Sequence, residues 1–351
     1  MARKILLTAA IISLCVPWLH GGEAEENVPA EPMVFHVKSI DVLVPTLVTN
    51  KSGEIVHGLK PENFIVRVAG KEQPFNLNES PDSEKISIIV AVQVGGSAYL
   101  LFENRRKEAW DSGCILDGLG TMVENFVGAM DAEIAVVAFD SRVSLVQDFT
   151  GNLSIVKEKL NTLEGSGDSG AAVLDAVDYA FRLFGESKPE RRHILFLISE
   201  TRDHKSKTVK AEALDEKLAA GNIQIHSIAF KPLQLEVLRD LKSNKPAQRD
   251  NISQLEMIII GVTIGVNALA KNAPRPLAEN MGGEQILFFG KNSFDSTFAN
   301  LANQFRNTYL ISFQAPDTDP GFHKIQIRLR NAPKDAIVRS RSGYMADSKK
   351  E

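Results

Sequence analysis

From Lys85 the chain reads Lys-Ile-Ser-Ile-Ile-Val-Ala-Val-Gln-Val-Gly-Gly-Ser, a β-branched apolar run closed by Gly95-Gly96-Ser97. An apolar run of this length, stopped by glycines, predicts a strand over Ile86–Val92 that is buried on both faces, as in a parallel sheet. Further strands follow at Glu133–Phe139, Ser144–Phe149, Arg192–Ile198, Ile223–Ala229 and Gln285–Phe289. Helical spacing fills the intervals: Glu103–Trp110, Cys114–Met130, Ser154–Leu163, Ala171–Phe184, Thr208–Ala220 and Ser293–Asn307. Strands alternating with helices predict an α/β fold with a doubly wound, mostly parallel sheet.

The two flanks carry a different pattern. Val42, Val44, Leu47 and Val48 make a β-rich run, followed by short strands at Ile55-Val56, Phe64–Val68 and Gln73–Leu77 between turns. At the other end Tyr309–Phe313 reads as a strand, and His323–Leu329 with Ile337–Arg341 as a hairpin. The expected organisation is an N-terminal β module over 34–80, an α/β domain over 85–308 and a C-terminal β segment over 309–345. The two β ends would pair into one small β-sandwich-like module with the α/β domain inserted in it. The alternative is a separate C-terminal hairpin, and residues 346–351 form a polar tail.

Ahead of this pattern, Arg3 and Lys4 precede an apolar run from Ile5 to about Val16, then Pro17 and the small residues Gly21, Gly22 and Ala24. That order is the signature of a secretory signal peptide over 1–24, with 25–33 as a flexible lead-in. Export to the periplasm or beyond is the expectation, with no integral membrane span after cleavage. The apolar stretch Gln254–Ala270 carries two glycines and an asparagine and is short for a span, so it reads as a buried or partner-packing helix. Of the two cysteines, Cys15 and Cys114, only the second would survive cleavage, so no internal disulfide is expected. The 351 residues carry a net charge of −4 with no basic block or stripe, which argues against nucleic acid as a partner.

In open α/β sheets ligands gather at the carboxyl ends of the strands, and there the residues carry a resemblance. Ile86–Ser97, the loop Gly165–Ala171 and Ile194–Arg202 fall where the three site segments of a von Willebrand factor type A domain would fall. Val44–Phe64, Leu277–Gly283, Tyr309–Phe313 and Arg341–Tyr344 resemble further segments of the related family of secreted bacterial proteins. The resemblance covers roughly residues 34–345. It implies a Rossmann-like domain used for protein binding or adhesion, often through a metal held by Asp-x-Ser-x-Ser, a threonine and an aspartate.

This chain departs from that pattern. Gln93 stands for the first aspartate, Gly95 for the first serine, Ala171 for the threonine and Glu200 for the last aspartate; Ser97 alone matches. Mg²⁺ requires hard, mostly anionic oxygens, so the expectation is no cofactor, with at most weak Mg²⁺ held by Ser97 and Glu200. Asp168, Ser169 or Asp203 reaching in is the route by which a site could be rescued. The candidate binding residues are therefore Gln93, Gly95, Ser97, Asp168, Ser169, Ala171, Glu200, Thr201 and Asp203, on three loops facing a protein partner.

No nucleophile elbow, His-Glu-x-x-His or Cys-x-x-Cys occurs, and Gly165–Gly170 lacks the Lys-Ser/Thr of a phosphate loop. The reading is a non-enzymatic interaction module that works without metal. Its rivals are a metal-dependent adhesion protein with a non-standard site and, further off, an uncharacterised hydrolase.

Overall fold

The chain's β-branched runs become strands in chain order, interrupted where proline or glycine breaks the ladder. In the computed structural model, residues 41–78, 85–102, 115–128, 130–185, 191–209, 214, 217–218, 222–231, 272–288, 291–316, 320–331, 333 and 335–346 are described. The leader and lead-in, Cys114, the helix expected at Glu103–Trp110 and the apolar stretch Gln254–Ala270 lie outside them.

The first strands are β1 (Asp41–Thr49), β2 (Phe64–Val68), β3 (Lys71–Glu72) and β4 (Asn76–Asn78). Then come β5 (Lys85–Gln93), α1 (Tyr99–Phe102), α2 (Leu119–Val127), β6 (Asp131–Phe139), β7 (Val143–Thr150), α3 (Leu153–Asn161) and α4 (Val173–Phe184). They are followed by β8 (Arg192–Glu200), β9 (Ile223–Phe230), α5 (Pro274–Asn280), β10 (Gln285–Leu287) and α6 (Lys291–Arg306). Last come β11 (Tyr309–Gln314), β12 (Gly321–Leu329), β13 (Ile337–Arg339) and β14 (Gly343–Ala346).

The central sheet has the order β10-β9-β8-β5-β6-β7. Every neighbouring pair in it is parallel except β6 and β7, which form an antiparallel edge. Because side chains alternate across a strand, β5 feeds two cores. Ile86, Ile88, Val90 and Val92 point to one face, where Leu119, Val123 and Phe126 of α2, Val156 and Leu160 of α3, and Phe294, Phe298 and Phe305 of α6 cover them. Ile89 and Ala91 point to the other, under Val173, Ala176, Val177 and Phe184 of α4 and Leu277 of α5. Helices on both faces of a mostly parallel sheet explain why β5 has no polar alternation: only Lys85 at its start is exposed.

The flanking strands form two four-stranded sheets, β13-β1-β11-β4 and β14-β12-β2-β3. They enclose one core of Val42, Val44, Val48, Phe64, Val66, Ile311, Phe313, Ile325 and Tyr344. Chain-distant strands pair directly: Asp41 with Gln314 and Val44 with Ile311 between β1 and β11, Val66 with Ile327 between β2 and β12. Tyr309 ties the sandwich to its own loop. Its hydroxyl donates to the Val56 carbonyl (2.9 Å) and accepts from the Leu59 amide (3.0 Å), and its ring meets Phe64 edge-on at 5.4 Å.

Several element assignments differ from the sequence reading. Ile55 makes only an isolated bridge to Thr49, so Ile55-Val56 is no strand. The strand expected at Gln73–Leu77 is shortened to β4, which starts only at Asn76, because Pro74 has no N–H for the ladder, and β3 lies ahead of it at Lys71–Glu72. His323–Leu329 and Ile337–Arg341 do not form a hairpin: β12 pairs with β14 and β2, while β13 crosses to the other sheet and pairs with β1. α5, for which the sequence reading names no helix, starts on Pro274, where the missing N–H is no loss.

Candidate interaction site at the carboxyl end of the sheet

Strand order reverses between β5 and β8. β5 leads to β6 on one side, and the chain then returns to β8 on the other. This switch point leaves a crevice beyond the carboxyl ends of the two strands. The register Val92–Ile198 sets Gln93 beside Glu200 there.

The two side chains close on each other. Gln93 Nε2 donates to Glu200 Oε1 (2.8 Å) and to the Gly95 carbonyl (3.0 Å), and the Glu200 amide donates to Gln93 Oε1 (2.8 Å). The two partners fix the amide's orientation: a backbone N–H needs the oxygen and a carboxylate needs the NH₂. Gln93 is fully buried and Glu200 is 3% exposed. Burial pushes the Glu200 carboxyl above its ordinary value, opposed by the Gln93 hydrogen bond and by the positive fields of His204 and Arg202. Arg192, an arginine of the same strand as Glu200, is out of its reach. Arg192 sits at the opposite end of β8 and donates to Gln224 Oε1 (2.5 Å).

Gly95 is where the first loop passes a second one. A Cβ there would lie 2.4 Å from Asp140 Cβ and 2.8 Å from the Gly170 carbonyl, so no larger residue fits without a shift. Ser97 follows, half-buried, in the 3₁₀ turn Gly96–Ala98. The loop at 165–171 is laced to the first by Gly96 N–H to the Asp168 carbonyl and Ser166 N–H to the Val94 carbonyl, both 2.8 Å. Asp168 turns its carboxylate to Ser141 Oγ (2.7 Å) and the Gly170 amide (2.6 Å), and these bonds, Ser141 first, hold its carboxyl below the ordinary value.

The third loop is bound to the second. Ala171 and His204 exchange both backbone hydrogen bonds (3.0 and 2.9 Å). His204 Nε2 lies 3.1 Å from the Ser169 carbonyl and 3.7 Å from Glu200 Oε1. A carbonyl only accepts, so Nε2 carries a proton in that contact. Asp203 does not point at Glu200: its Oδ1 accepts from the Leu174 amide (3.0 Å) and from Ser206 Oγ (2.5 Å), capping the first turn of α4. Asp175, one residue on in α4, accepts the amides of Lys207, Thr208 and Val209. Thr201 follows Glu200, half-buried.

All nine expected residues thus lie on three loops at one end of the sheet, but only Gln93, Gly95 and Glu200 are joined side by side. Asp168 and Asp203 spend their carboxylates on loop and helix amides. The sequence reading missed Asp140 and Ser141, in the β6–β7 turn. The signal was present: a polar turn directly after a strand in register with Gln93 must emerge at the same end of the sheet.

A divalent cation at this strand end would have to be held by these same groups. Glu200 Oε1 faces the N–H groups of Gln93, which are donors, and Gln93 Oε1 is taken by a backbone amide. Hard cations need unoccupied oxygens, and Gln93 Oε1 and Glu200 Oε1 are both engaged within the pair. Among the described residues there is no group of three or more His, Cys, Asp or Glu able to hold a metal ion.

No known family profile and no curated protein matches the chain. Solved structures are similar to it in fold. One is a von Willebrand factor type A protein from Catenulispora acidiphila, 10% identical over 89% of this chain and 75% of that one, with a TM-score of 0.44. Another is proximal thread matrix protein 1 of the mussel byssus with a zinc-occupied MIDAS motif, 12% identical over 70% of this chain, TM-score 0.44; the match spans 50% of that protein's length. A third is BatB from Bacteroides thetaiotaomicron, 11% identical over 62% of this chain and 98% of that one, TM-score 0.38. The α/β class itself rests on the sheet described above, whose order and two helical layers are explicit in the strand pairing.

Proposed function

We propose that the chain is an exported, non-enzymatic protein-interaction module of von Willebrand factor type A kind, bound to an envelope or extracellular protein through the loops beyond β5, β8 and the 165–171 segment, without a metal. The proposed organisation is an α/β domain, 85–308, inserted into a sandwich built from 34–80 and 309–345. The observation that carries the metal-free reading is the Gln93–Glu200 pair. A neutral amide supplies the donors that satisfy the buried carboxylate, so the charge has its partner inside the chain. Around that closed centre the rim is exposed and mixed: Tyr99 is 43% exposed, and Ser169, Arg202, His204 and Lys205 face solvent. Tyrosine and arginine are the residue types that anchor protein interfaces. The two serine hydroxyls that meet a carboxylate there, Ser141 on Asp168 and Ser206 on Asp203, share it with the amides of Gly170 and Leu174, so those carboxylates serve the loop and the helix start, which favours binding over catalysis. Among the described residues no helix is long and apolar enough to cross a membrane.

The test is capture from an envelope extract by the immobilised chain, with and without EDTA. The reading expects capture of the same protein in both, weakened at least tenfold by Tyr99→Ala and by Ser169→Arg. Capture that EDTA abolishes would restore the metal-dependent reading, and capture indifferent to both substitutions would move the surface elsewhere.

A further inference from the structure

The two sheets of the sandwich differ in what covers their outer faces. β1 is buried on both faces from Val44 to Thr49, and its Pro45 lies with Arg192 and Ile223 at the amino ends of β8 and β9. The other sheet, β14-β12-β2-β3, gives one face to the core through Val66, Ile325, Ile327 and Tyr344. Side chains alternate across a strand. Its second face, turned away from the α/β unit, is therefore made by Phe322, Lys324, Gln326 and Arg328 of β12, with Ile65 and Arg67 of β2 beside them.

That face is open and positive. Lys324 and Arg328 are exposed, as is Arg330 just past the strand, and none of the three has an ion pair among the described residues. Glu72 of β3 stands across from Arg67 and is paired with it at 2.9 Å. A solvated sheet face ordinarily mixes the two signs in cross-strand pairs. Here the single acid on the outer positions is already matched, and the surplus is positive in a chain whose net charge is −4. Phe322 adds an apolar group. At 51% it is the most exposed large hydrophobic side chain among the described residues, and its ring lies across Gly343, where a Cβ would come within 2.3 Å of it. From Phe322 to Arg328 the row runs about 20 Å along one strand.

A partner for this face has to be broad, negatively charged across its width and able to take up a phenyl ring at its boundary with water. An acidic protein segment would match the charges alone. A bilayer with anionic headgroups meets all three conditions: aromatic side chains gather at its interface, and each basic one near its surface strengthens binding about fivefold. We infer that the outer face of the β14-β12-β2-β3 sheet docks on an anionic lipid bilayer, with Lys324, Arg328 and Arg330 at the headgroups and Phe322 in the interface. A chain docked in this way keeps the loops at the carboxyl end of the central sheet away from the lipid and open to another partner.

The experiment sediments the full mature chain with phosphatidylcholine vesicles, with and without about one third phosphatidylglycerol, at low salt and at about 0.3 M salt. The chain should bind the anionic vesicles at low salt, release them at high salt and leave the neutral ones unbound. Lys324→Gln and Arg328→Gln should each weaken binding about fivefold, and Phe322→Ser should weaken it without changing its salt dependence. Equal binding to neutral vesicles would overturn the inference and move the contact to an apolar segment of the chain. Undiminished binding by a folded Lys324→Glu/Arg328→Glu chain would assign it to another basic surface. Displacement from the vesicles by soluble polyglutamate at equal charge would replace the bilayer with an acidic protein partner. If the double variant does not fold, the lipid comparison and the polyglutamate competition on the native chain decide.

Discussion

Replacing Gln93 with methionine keeps the length of the side chain and removes all three hydrogen bonds that close the strand-end site. The groups left behind are the Glu200 amide, the Gly95 carbonyl and Glu200 Oε1, all buried with the two side chains that now satisfy them. A buried neutral group without a partner costs about 1–3 kcal/mol and a charged one more. Relaxation of the Gly95 carbonyl toward solvent recovers part of this, leaving an expected loss of about 3–5 kcal/mol at pH 7. The loss should depend on pH with a definite sign. The folded Glu200 carboxyl titrates above its ordinary 4.5, so its contribution favours folding below that value and is lost as pH rises through the folded pKa. Gln93 is the strongest influence holding that pKa down, and without it the window extends upward. Gln93→Met should therefore cost less at pH 5 than at pH 7. Urea unfolding followed by far-UV circular dichroism at both pH values measures this. A loss under about 1 kcal/mol, or one equal at the two pH values, would show that the pair does not hold the site closed.

Two further outcomes test other parts of the molecule. Tyr309→Phe removes a hydroxyl that both donates and accepts inside the sandwich and should cost about 1–3 kcal/mol; a chain as stable as the original in urea would mean that water replaces both contacts. His226 is neutral in the folded chain down to about pH 3, whereas the unfolded chain takes up a proton near 6.5, so folding weakens as pH falls between those values. His226→Leu should remove about 2 kcal/mol of the stability difference between pH 7 and pH 5, and an unchanged acid limb would assign that limb to other groups.

The α/β class was legible because burial on both faces leaves a direct trace. β5, β8 and β9 are almost free of charged residues, and no surface strand tolerates that. The candidate loops were legible for the same reason, since each follows a strand whose end is marked by glycine or a polar residue. What joins Gln93 to Glu200 was not legible. That contact depends on the register between β5 and β8, and joins residues 107 positions apart, so no local pattern encodes it. The partner of β13 was hidden likewise. Ile337–Arg339 follows β12 closely enough to suggest a hairpin, but its ladder is made with Leu47–Thr49. α5 was not named from the sequence: it is seven residues long and carries prolines at 274 and 276, too short a stretch for a helical period to show.

The pairing of β1 with β11 and of β2 with β12 has a consequence for how the chain is made. Strands near residue 41 find their partners only after residues beyond 309 have emerged, so the sandwich is closed by contacts of very long sequence separation. Contacts of that kind form late and slowly. The α/β unit, whose central strands pair within a shorter stretch, can condense while β1 and β2 still expose unpaired ladders and the valines of their inner faces. For that interval the growing chain carries edge strands ready to join those of another copy. Interruption of synthesis before residue 309 is thus expected to leave a folded centre with an adhesive, unfinished leading segment.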